Sequence, residues 1–406
     1  MEICKHNEGC GGCIYQEMPY QDQLIMKGKE VLRLLDEKNI GYLRYLGIEG
    51  SPKRTAYRNK MEYTFGDEIK DGEMTLGMHK KGRFMSIVTV DDCQLVDPDF
   101  NVILKETLSF CNSRGYVQYN KKNHLGLMRN LIVRKGEHTG ELLINAVTTS
   151  QSQFDGEAFA EMLLALHLNN TVVGVLHTIN DNVADFAYCD KLYTIWGRDY
   201  YMEEIMTLKF KVSAFSFFQT NILAVEKLYT EALAQIKDLE GKTVFDLYCG
   251  TGTITQTMAL RAKKVIGVEI VEESVEAARE NARLNGLKNC EFITGDVLEV
   301  LDGIEEKPDV IVLDPPRAGV HPKAFEKILN YGVNQIVYIS CNPRSLVENL
   351  SFAQGHGYRV ISIKAFDNFP FTKHVETVCL MSRKYSLENG LKSRFVGATT
   401  ILSTQV

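Results

Sequence analysis

The sequence predicts an α/β protein whose C-terminal part is a doubly wound, mainly parallel sheet, preceded by an α+β central domain and an N-terminal four-cysteine segment. Three observations carry that reading. After about residue 210, five short apolar runs rich in β-branched residues alternate with helical segments, the pattern of βαβ units. Between about residues 57 and 210, short strand-like runs are separated by turn residues, the pattern of an α+β region with much antiparallel pairing. The first twenty residues are rich in Cys and Gly and carry little periodicity.

The boundaries follow from these changes. Residues 1–95 are expected to form the cysteine segment, interleaved with the central domain through Cys93. Residues 45–210 form the central domain, 211–386 the doubly wound domain, and 387–406 a weakly periodic tail. A chain of 406 residues suits two or three domains. Its 24% charged and 45% hydrophobic residues exclude a disordered, collagenous or fibrous chain. No run of apolar residues is long enough for a membrane span, and the start MEICKHNEGCGGC has no apolar secretory core. A cytoplasmic protein is expected. In a reducing compartment its ten cysteines point to metal or catalytic thiols rather than to disulfides.

Taken in chain order, residues 21–46 show apolar positions at helical spacing and read as one helix. MEYTFG, TLGMHKKG and RFMSIVTV read as strands, LIVRKG and GELLINAVTT as two more around a His-Thr-Gly turn. FDGEAFAEMLLALHL reads as a helix, VVGVLHTIN and YTIWG as strands. TVFDLY, KVIGVEI, CEFITG, DVIVLD and QIVYIS are the five strands of the predicted parallel sheet. TITQTMALRA, EESVEAARENARLN (closed by Gly286), PKAFEKILNYG and RSLVENLSFAQ are the helices between them. YRVISIKAF and HVETVCLMSRK complete the strand set.

Charge is unevenly spread. Lys plus Arg (46) against Asp plus Glu (52) gives −6, yet residues 1–135 carry 21 basic and 18 acidic residues, or +3. Thr107 to Gly136 holds no acid but holds Arg114, Lys121, Lys122, Arg129, Arg134 and Lys135. Lys53, Arg54, Arg58 and Lys60 surround Tyr57, and His79, Lys80, Lys81 and Arg83 precede Phe84. Basic clusters beside aromatic residues suit phosphate contact with base stacking; a solvated basic face fits the same charges equally well.

The chemistry-bearing motifs lie at predicted strand ends, where open α/β sheets bind ligands. Asp246-Leu-Tyr248-Cys-Gly250-Thr-Gly252-Thr is a glycine-containing strand–helix turn. A dinucleotide fingerprint would want glycine where Thr255 stands. Glu269 ends the next strand, where a carboxylate can accept from ribose hydroxyls, and Asp296 follows the third. This combination resembles the S-adenosylmethionine loop of class I methyltransferases. Asp314 ends DVIVLD before two prolines, which make a rigid, donor-poor loop. Cys341 ends QIVYIS just before a helix, whose dipole is expected to favour a thiolate. Taken alone, such a cysteine also fits a small buried packing residue, and Glu376 a surface carboxylate.

Residues 215–376 resemble the RNA uracil-5-methyltransferases, through FSFFQTN, DLYCGTGTI, VIGVE, LDPPRAG, YISCNP and FPFTKHVETV in that order. The resemblance implies a class I methyltransferase sheet. It places Gln219, Tyr248, Glu269 and Asp314 on cofactor-binding positions, Cys341 on the nucleophile and Glu376 on the proton-abstracting base. The chemistry supplies reasons for those residue types. Carbon 5 of uracil is a poor nucleophile; a thiolate adding to carbon 6 makes it an enolate that can take the methyl group, and a base then removes the proton on carbon 5. Asp314 is suited to hold the uracil edge or the enolate. Phe217, Phe218 and Phe371 are candidate aromatic neighbours of cofactor or base.

Cys4, Cys10 and Cys13 have the spacing C-x5-C-x2-C, and Cys93 follows much later. Spacing alone suits a tetrathiolate iron–sulfur site or a structural zinc. Resemblance to the ribosomal-RNA members implies a [4Fe–4S] cluster, structural or RNA-docking in role. Many of those relatives carry a small β-barrel RNA-binding domain ahead of the cysteines. This sequence starts at the cysteines, so target selection is expected to rest on the cluster region, the basic central strands or a partner. The expected activity is methylation of a uridine in 23S ribosomal RNA. The rivals are the same reaction on transfer RNA, and a non-catalytic RNA-binding protein with a metal cluster on a decayed fold; retention of both Cys341 and Glu376 argues against decay. No DNA partner is expected.

Overall fold

The computed structural model describes residues 2–183 and 189–383; the tail expected from residue 387 lies outside them. After the cysteine segment come α1 (Tyr20–Glu37) and β1 (Tyr42–Glu49). The central region then runs β2 (Lys60–Asp67), β3 (Met74–Lys80), β4 (Arg83–Thr89), α2 (Pro98–Ser113), β5 (Met128–Lys135), β6 (Glu141–Thr148), α3 (Gly156–Leu164), β7 (Thr171–Ile179) and β8 (Lys191–Gly197). A hairpin, β9 (Tyr200–Ile205) and β10 (Leu208–Ser213), leads into α4 (Ile222–Ala234). The remainder is β11 (Thr243–Leu247), α5 (Thr253–Ala259), β12 (Lys264–Glu269), α6 (Glu272–Leu284), β13 (Cys290–Thr294), α7 (Val297–Val300), β14 (Val310–Leu313), α8 (Pro322–Asn330), β15 (Gln335–Ser340), α9 (Pro343–Gly355), β16 (Tyr358–Phe366) and β17 (Glu376–Arg383).

The central strands form a seven-stranded sheet in the order β4-β3-β2-β5-β6-β7-β8. Its pairs are antiparallel except β6 and β7, which α3 joins as a parallel crossover. Helices α2 and α3 bury Phe100, Ile103, Leu104, Phe159 and Leu163 against it. Asp97 caps α2 by accepting from Asp99 N, with Pro98 at the first helical position.

The second sheet has eight strands in the order β1-β16-β17-β15-β14-β11-β12-β13. The five strands expected to be parallel are so, and β17 lies antiparallel between β15 and β16. β14 (VIVL) is buried along its whole length, as a strand covered on both faces must be. Strand order reverses between β11 and β14, so a ligand crevice opens beyond their carboxyl ends. Gly286, with φ +66°, ends the α6 segment as expected.

Helices α2 and α4 and the β9–β10 hairpin are additional to the sequence reading, and one element it names differs. Residues 21–46 are not one helix: α1 stops at Glu37, Asn39 turns through φ +52°, and β1 then pairs parallel with β16. Val31, Leu34 and Leu35 of α1 enter the core beneath this sheet. The N-terminal segment therefore builds part of the eight-stranded layer. A second core joins Leu143 and Leu176 of the central sheet and the β9–β10 hairpin to α4 and the opposite face of the large sheet.

Candidate active site

A cavity of about 1110 Å³ opens at the reversal of strand order, and Gln219, Tyr248, Gly250, Glu269, Asp314, Cys341 and Glu376 all line it. The turn after β11 forms one wall. Tyr248 (φ +70°), Gly250 (φ +54°) and Gly252 (φ +75°) are left-handed, which swings the backbone across the crevice. A β-carbon on Gly252 would stand 2.7 Å from Phe292 Cε1 and 3.0 Å from Ala278 Cβ, so only glycine fits. Thr255, in the place of the third fingerprint glycine, is fully buried and donates its hydroxyl to Asp246. Burial raises that carboxyl to about 8.

Glu269 closes the turn: Oε2 accepts from Gly250 N at 3.1 Å and Oε1 from Val271 N at 3.0 Å. Asp296 caps α7 by accepting from Leu298 N at 2.7 Å. It does not line the cavity, and it acts electrostatically on the Tyr248 hydroxyl from outside. Gln219 is held from the central sheet, because Asn59 Nδ2 donates to the Gln219 carbonyl at 3.1 Å and Arg134 Nη2 to that of Ser216 at 2.7 Å. Phe217 is 70% exposed at the cavity, Phe218 is buried beside it, and Phe371 is buried against Tyr57 and Leu95 as packing.

Asp314, Cys341 and Glu376 come from three neighbouring strands, at the ends of β14 and β15 and the start of β17. Burial raises Asp314 to about 7. Burial and then the nearby Asp314 raise Glu376 to about 8. The half-buried Cys341 thiol is pushed up to about 11 by burial and then by Glu376 and Asp314. The thiolate expected from the helix dipole is thus disfavoured at rest; desolvation and two carboxylates outweigh one helix terminus. Arg317 opposes the rise at both Cys341 and Glu376. Its Nη2 lies 3.0 Å from His374 Nδ1. Sequence reasoning gave no role to Arg317, His374 or Tyr229, although the first two lie inside the quoted motifs. Tyr229, buried on α4, hydrogen-bonds Thr253 Oγ1 at 2.9 Å and lines the cavity beside Gln219.

Cys4, Cys10, Cys13 and Cys93 line another part of the same cavity, all half-buried. Burial and then the neighbouring thiols raise Cys93 to about 12, with Cys13, Cys10 and Cys4 all within electrostatic reach of it. Gly12 N donates to Cys10 Sγ at 3.3 Å and Gln16 Nε2 to Cys13 Sγ at 3.7 Å. Such N–H···S contacts suit sulfurs that ligate a metal group. Among the described residues, no three His, Cys, Asp or Glu side chains are gathered closely enough to hold a single ion. Ile14 N and Tyr15 N both donate to the Phe371 carbonyl, at 2.9 and 3.1 Å, which fastens the cysteine segment to the loop ahead of Glu376. Of the other cysteines, Cys111, Cys249 and Cys379 are buried, while Cys189 and Cys290 are half-buried.

The doubly wound sheet, the left-handed glycine turn at its switch point and the acidic residue ending β12 define a class I methyltransferase. Residues 51–384 match the family model described as tRNA (Uracil-5-)-methyltransferase. The chain belongs to that family and is an RNA uracil-5-methyltransferase. It is 51% identical over 375 residues to an uncharacterized RNA methyltransferase of Clostridium acetobutylicum, covering 92% of this chain and 82% of the relative. It is 50% identical over 378 residues to one of Clostridium tetani, covering 93% and 83%. Among solved structures it matches the tRNA (uracil-54, C5)-methyltransferase of Pyrococcus abyssi in complex with S-adenosyl-L-homocysteine. That match has TM-score 0.76 and 26% identity over 92% of this chain and 86% of the other. No described helix is long and apolar enough to cross a membrane.

Proposed function

We propose that the enzyme transfers a methyl group from S-adenosylmethionine to carbon 5 of a uridine in 23S ribosomal RNA through a covalent Cys341 adduct. The observation that carries the chemistry is the meeting of Cys341, Glu376 and Asp314 at one cavity with the glycine turn and Glu269. The donor supplies an electrophilic methyl group. Glu269 offers its remaining lone pairs to ribose hydroxyls, and Gln219, Tyr248 and Gly250 form the surrounding wall. The target base must leave its stack to reach Cys341.

The chain's groups account for every proton. The Cys341 thiol loses its proton to a neighbouring carboxylate as sulfur bonds to carbon 6 of the ring. Arg317 favours the developing thiolate. Carbon 5 accepts the methyl group. Glu376 removes the carbon 5 proton, the sulfur–carbon bond breaks, and the sulfur takes back a proton. The net release is one proton per turnover.

The four thiols are proposed to hold a [4Fe–4S] cluster, supported by the donor set and its N–H···S contacts; a zinc ion is the competing occupant, and it would need the thiols to draw closer together than they stand. The ribosomal target rests on the resemblance of that quartet to the ribosomal-RNA branch. The transfer-RNA reading is favoured by the likeness to the Pyrococcus abyssi enzyme. The test uses metal-loaded protein with ribosomal and transfer RNA and maps 5-methyluridine to the nucleotide. Glu376→Gln is expected to trap a denaturation-resistant protein–RNA adduct and Cys341→Ala to form none. Full methylation by Cys341→Ala removes the mechanism, and 5-methyluridine confined to transfer RNA removes the ribosomal target. Iron and zinc assays decide the metal.

A further inference from the structure

Two basic clusters that are separate in the sequence meet at one exposed aromatic ring. Phe84, on the edge strand β4, is 63% exposed, and Met85 beside it is 50% exposed. The ring is held in place rather than loose. His79 stacks on it with centroids 4.5 Å apart and planes 8° apart, and His79 Nδ1 lies 2.5 Å from the Phe84 carbonyl. The Lys121 ammonium, from the loop between α2 and β5, stands 5.1 Å from the same ring centre. Lys81 and Arg83 are exposed on the same hairpin, and neither is ion-paired among the described residues, whereas Lys80 is neutralised by Glu68 at 2.6 Å. Lys122 is exposed next to Lys121.

This hairpin is also joined to the reaction cavity. Gly11 N donates to the His79 carbonyl at 3.0 Å and Lys81 N to the Gly9 carbonyl at 2.7 Å. The cysteine loop is thereby an added rung on the end of β3, and Cys10 and Gly11 of that loop line the cavity. The surface runs from the cavity over the cysteine loop to Phe84 without leaving paired backbone.

We infer that Phe84 is a stacking platform for a second, unmethylated base of the RNA substrate, with Lys81, Arg83, Lys121 and Lys122 taking the phosphates around it. This rests on the reading of an RNA substrate and adds a subsite to it. A pre-set ring surrounded by cations matches the chemistry of a single-stranded segment, which offers a π-face and a phosphate at each step. The lysine over the ring is a placeholder. A cation on an exposed ring contributes only a few-fold in affinity, whereas a stacked base contributes roughly ten-fold or more, so a base displaces the ammonium toward a phosphate.

The experiment compares wild type, Phe84→Ala, Phe84→Trp and Lys81→Gln/Arg83→Gln in the full metal-loaded chain. Steady-state methylation of ribosomal RNA is measured together with fluorescence-anisotropy binding of a single-stranded RNA fragment at several salt concentrations. Phe84→Ala is expected to raise the RNA KM and Kd about ten-fold, with kcat and S-adenosylmethionine affinity unchanged and with the salt slope unchanged. Phe84→Trp is expected to restore binding. The double charge variant is expected to reduce the salt slope by about 0.7 for each phosphate it no longer neutralises. Wild-type KM and Kd in Phe84→Ala overturn the inference. A Phe84-dependent Kd in a protein that makes no 5-methyluridine overturns the proposed reaction instead and leaves the platform standing.

Discussion

Replacing Lys27 with Met should break a deeply buried ion pair that holds the loop ahead of Glu376. Lys27 Nζ lies 2.6 Å from Asp367 Oδ1 and 3.2 Å from the Phe369 carbonyl, and the two side chains are 2% and 0% exposed. Beside it on α1, the buried Gln23 donates to the Tyr15 and Met18 carbonyls and accepts from Phe371 N. Together they hold residues 367–371, a few positions before Glu376. At an effective dielectric of about 20, opposite charges at this separation attract by roughly 6 kcal/mol. Taking both from water costs several kcal/mol each, so the intact pair adds little net stability. Burial in fact holds the Lys27 pKa below its ordinary value despite the carboxylate. Removing one partner is different, because it strands a buried charge and costs about 3–5 kcal/mol. With a urea dependence near 3 kcal/mol per molar, the midpoint of Lys27→Met should fall by about 1 M or more. The double variant Lys27→Met/Asp367→Leu should recover most of that loss. Urea titrations followed by circular dichroism, with turnover measured alongside, test this. An unchanged midpoint in the single variant, or a double variant as weak as the single, refutes the reasoning.

Other perturbations reach the cofactor turn, the buried carboxyls and the thiol quartet. Thr255→Val removes the hydroxyl that serves Asp246, whose Oδ1 already lacks a partner, and should cost about 1–3 kcal/mol in urea unfolding. Gly252→Ala places a β-carbon 2.7 Å from Phe292 in a left-handed position, so calorimetric binding of S-adenosylmethionine should weaken by at least about ten-fold. Asp314, raised to about 7, and Asp246 and Glu376, raised to about 8, all titrate above the ordinary carboxylate value near 4. The folded chain therefore keeps protons that the unfolded chain gives up. Their contribution to stability is complete below about pH 4 and is lost as pH rises toward 8, so the urea midpoint should decline across that window. Over the same window, release of methylated RNA from the adduct should speed up as Glu376 ionises, and rapid-quench assays would read it. Cys93→Ser should abolish bound iron in anaerobically purified protein, read by metal analysis.

What the sequence made legible was local. The five parallel strands show as unbroken β-branched runs, because burial on both faces leaves no place for polar alternation. The residues at their carboxyl ends could be named because strand ends and turn glycines are adjacent in the chain. For β1, Asn39 and Gly41 after the helix were available stop signals, but the strand's partner, β16, lies near the other end of the chain. Asp97-Pro98, a cap followed by a first-turn proline, was an available signal for α2 that went unread. The state of the Cys341 thiol was not legible at all. It is set first by burial and then by Glu376 and Asp314, which arrive from neighbouring strands and not from neighbouring sequence. The convergence of Lys121 on Phe84 was hidden for the same reason.

The parallel pairing of Tyr42 with Val360 also bears on how the protein is made. A ribosome delivers β1 long before the strand that must receive it. Until β16 emerges, the early strand has only α1 and the half-built central sheet for company, with its amide edge open to other chains. Closure of the large sheet is consequently among the last events of biogenesis. A nascent chain stalled after the central region would be expected to need a chaperone rather than fold into a stable intermediate.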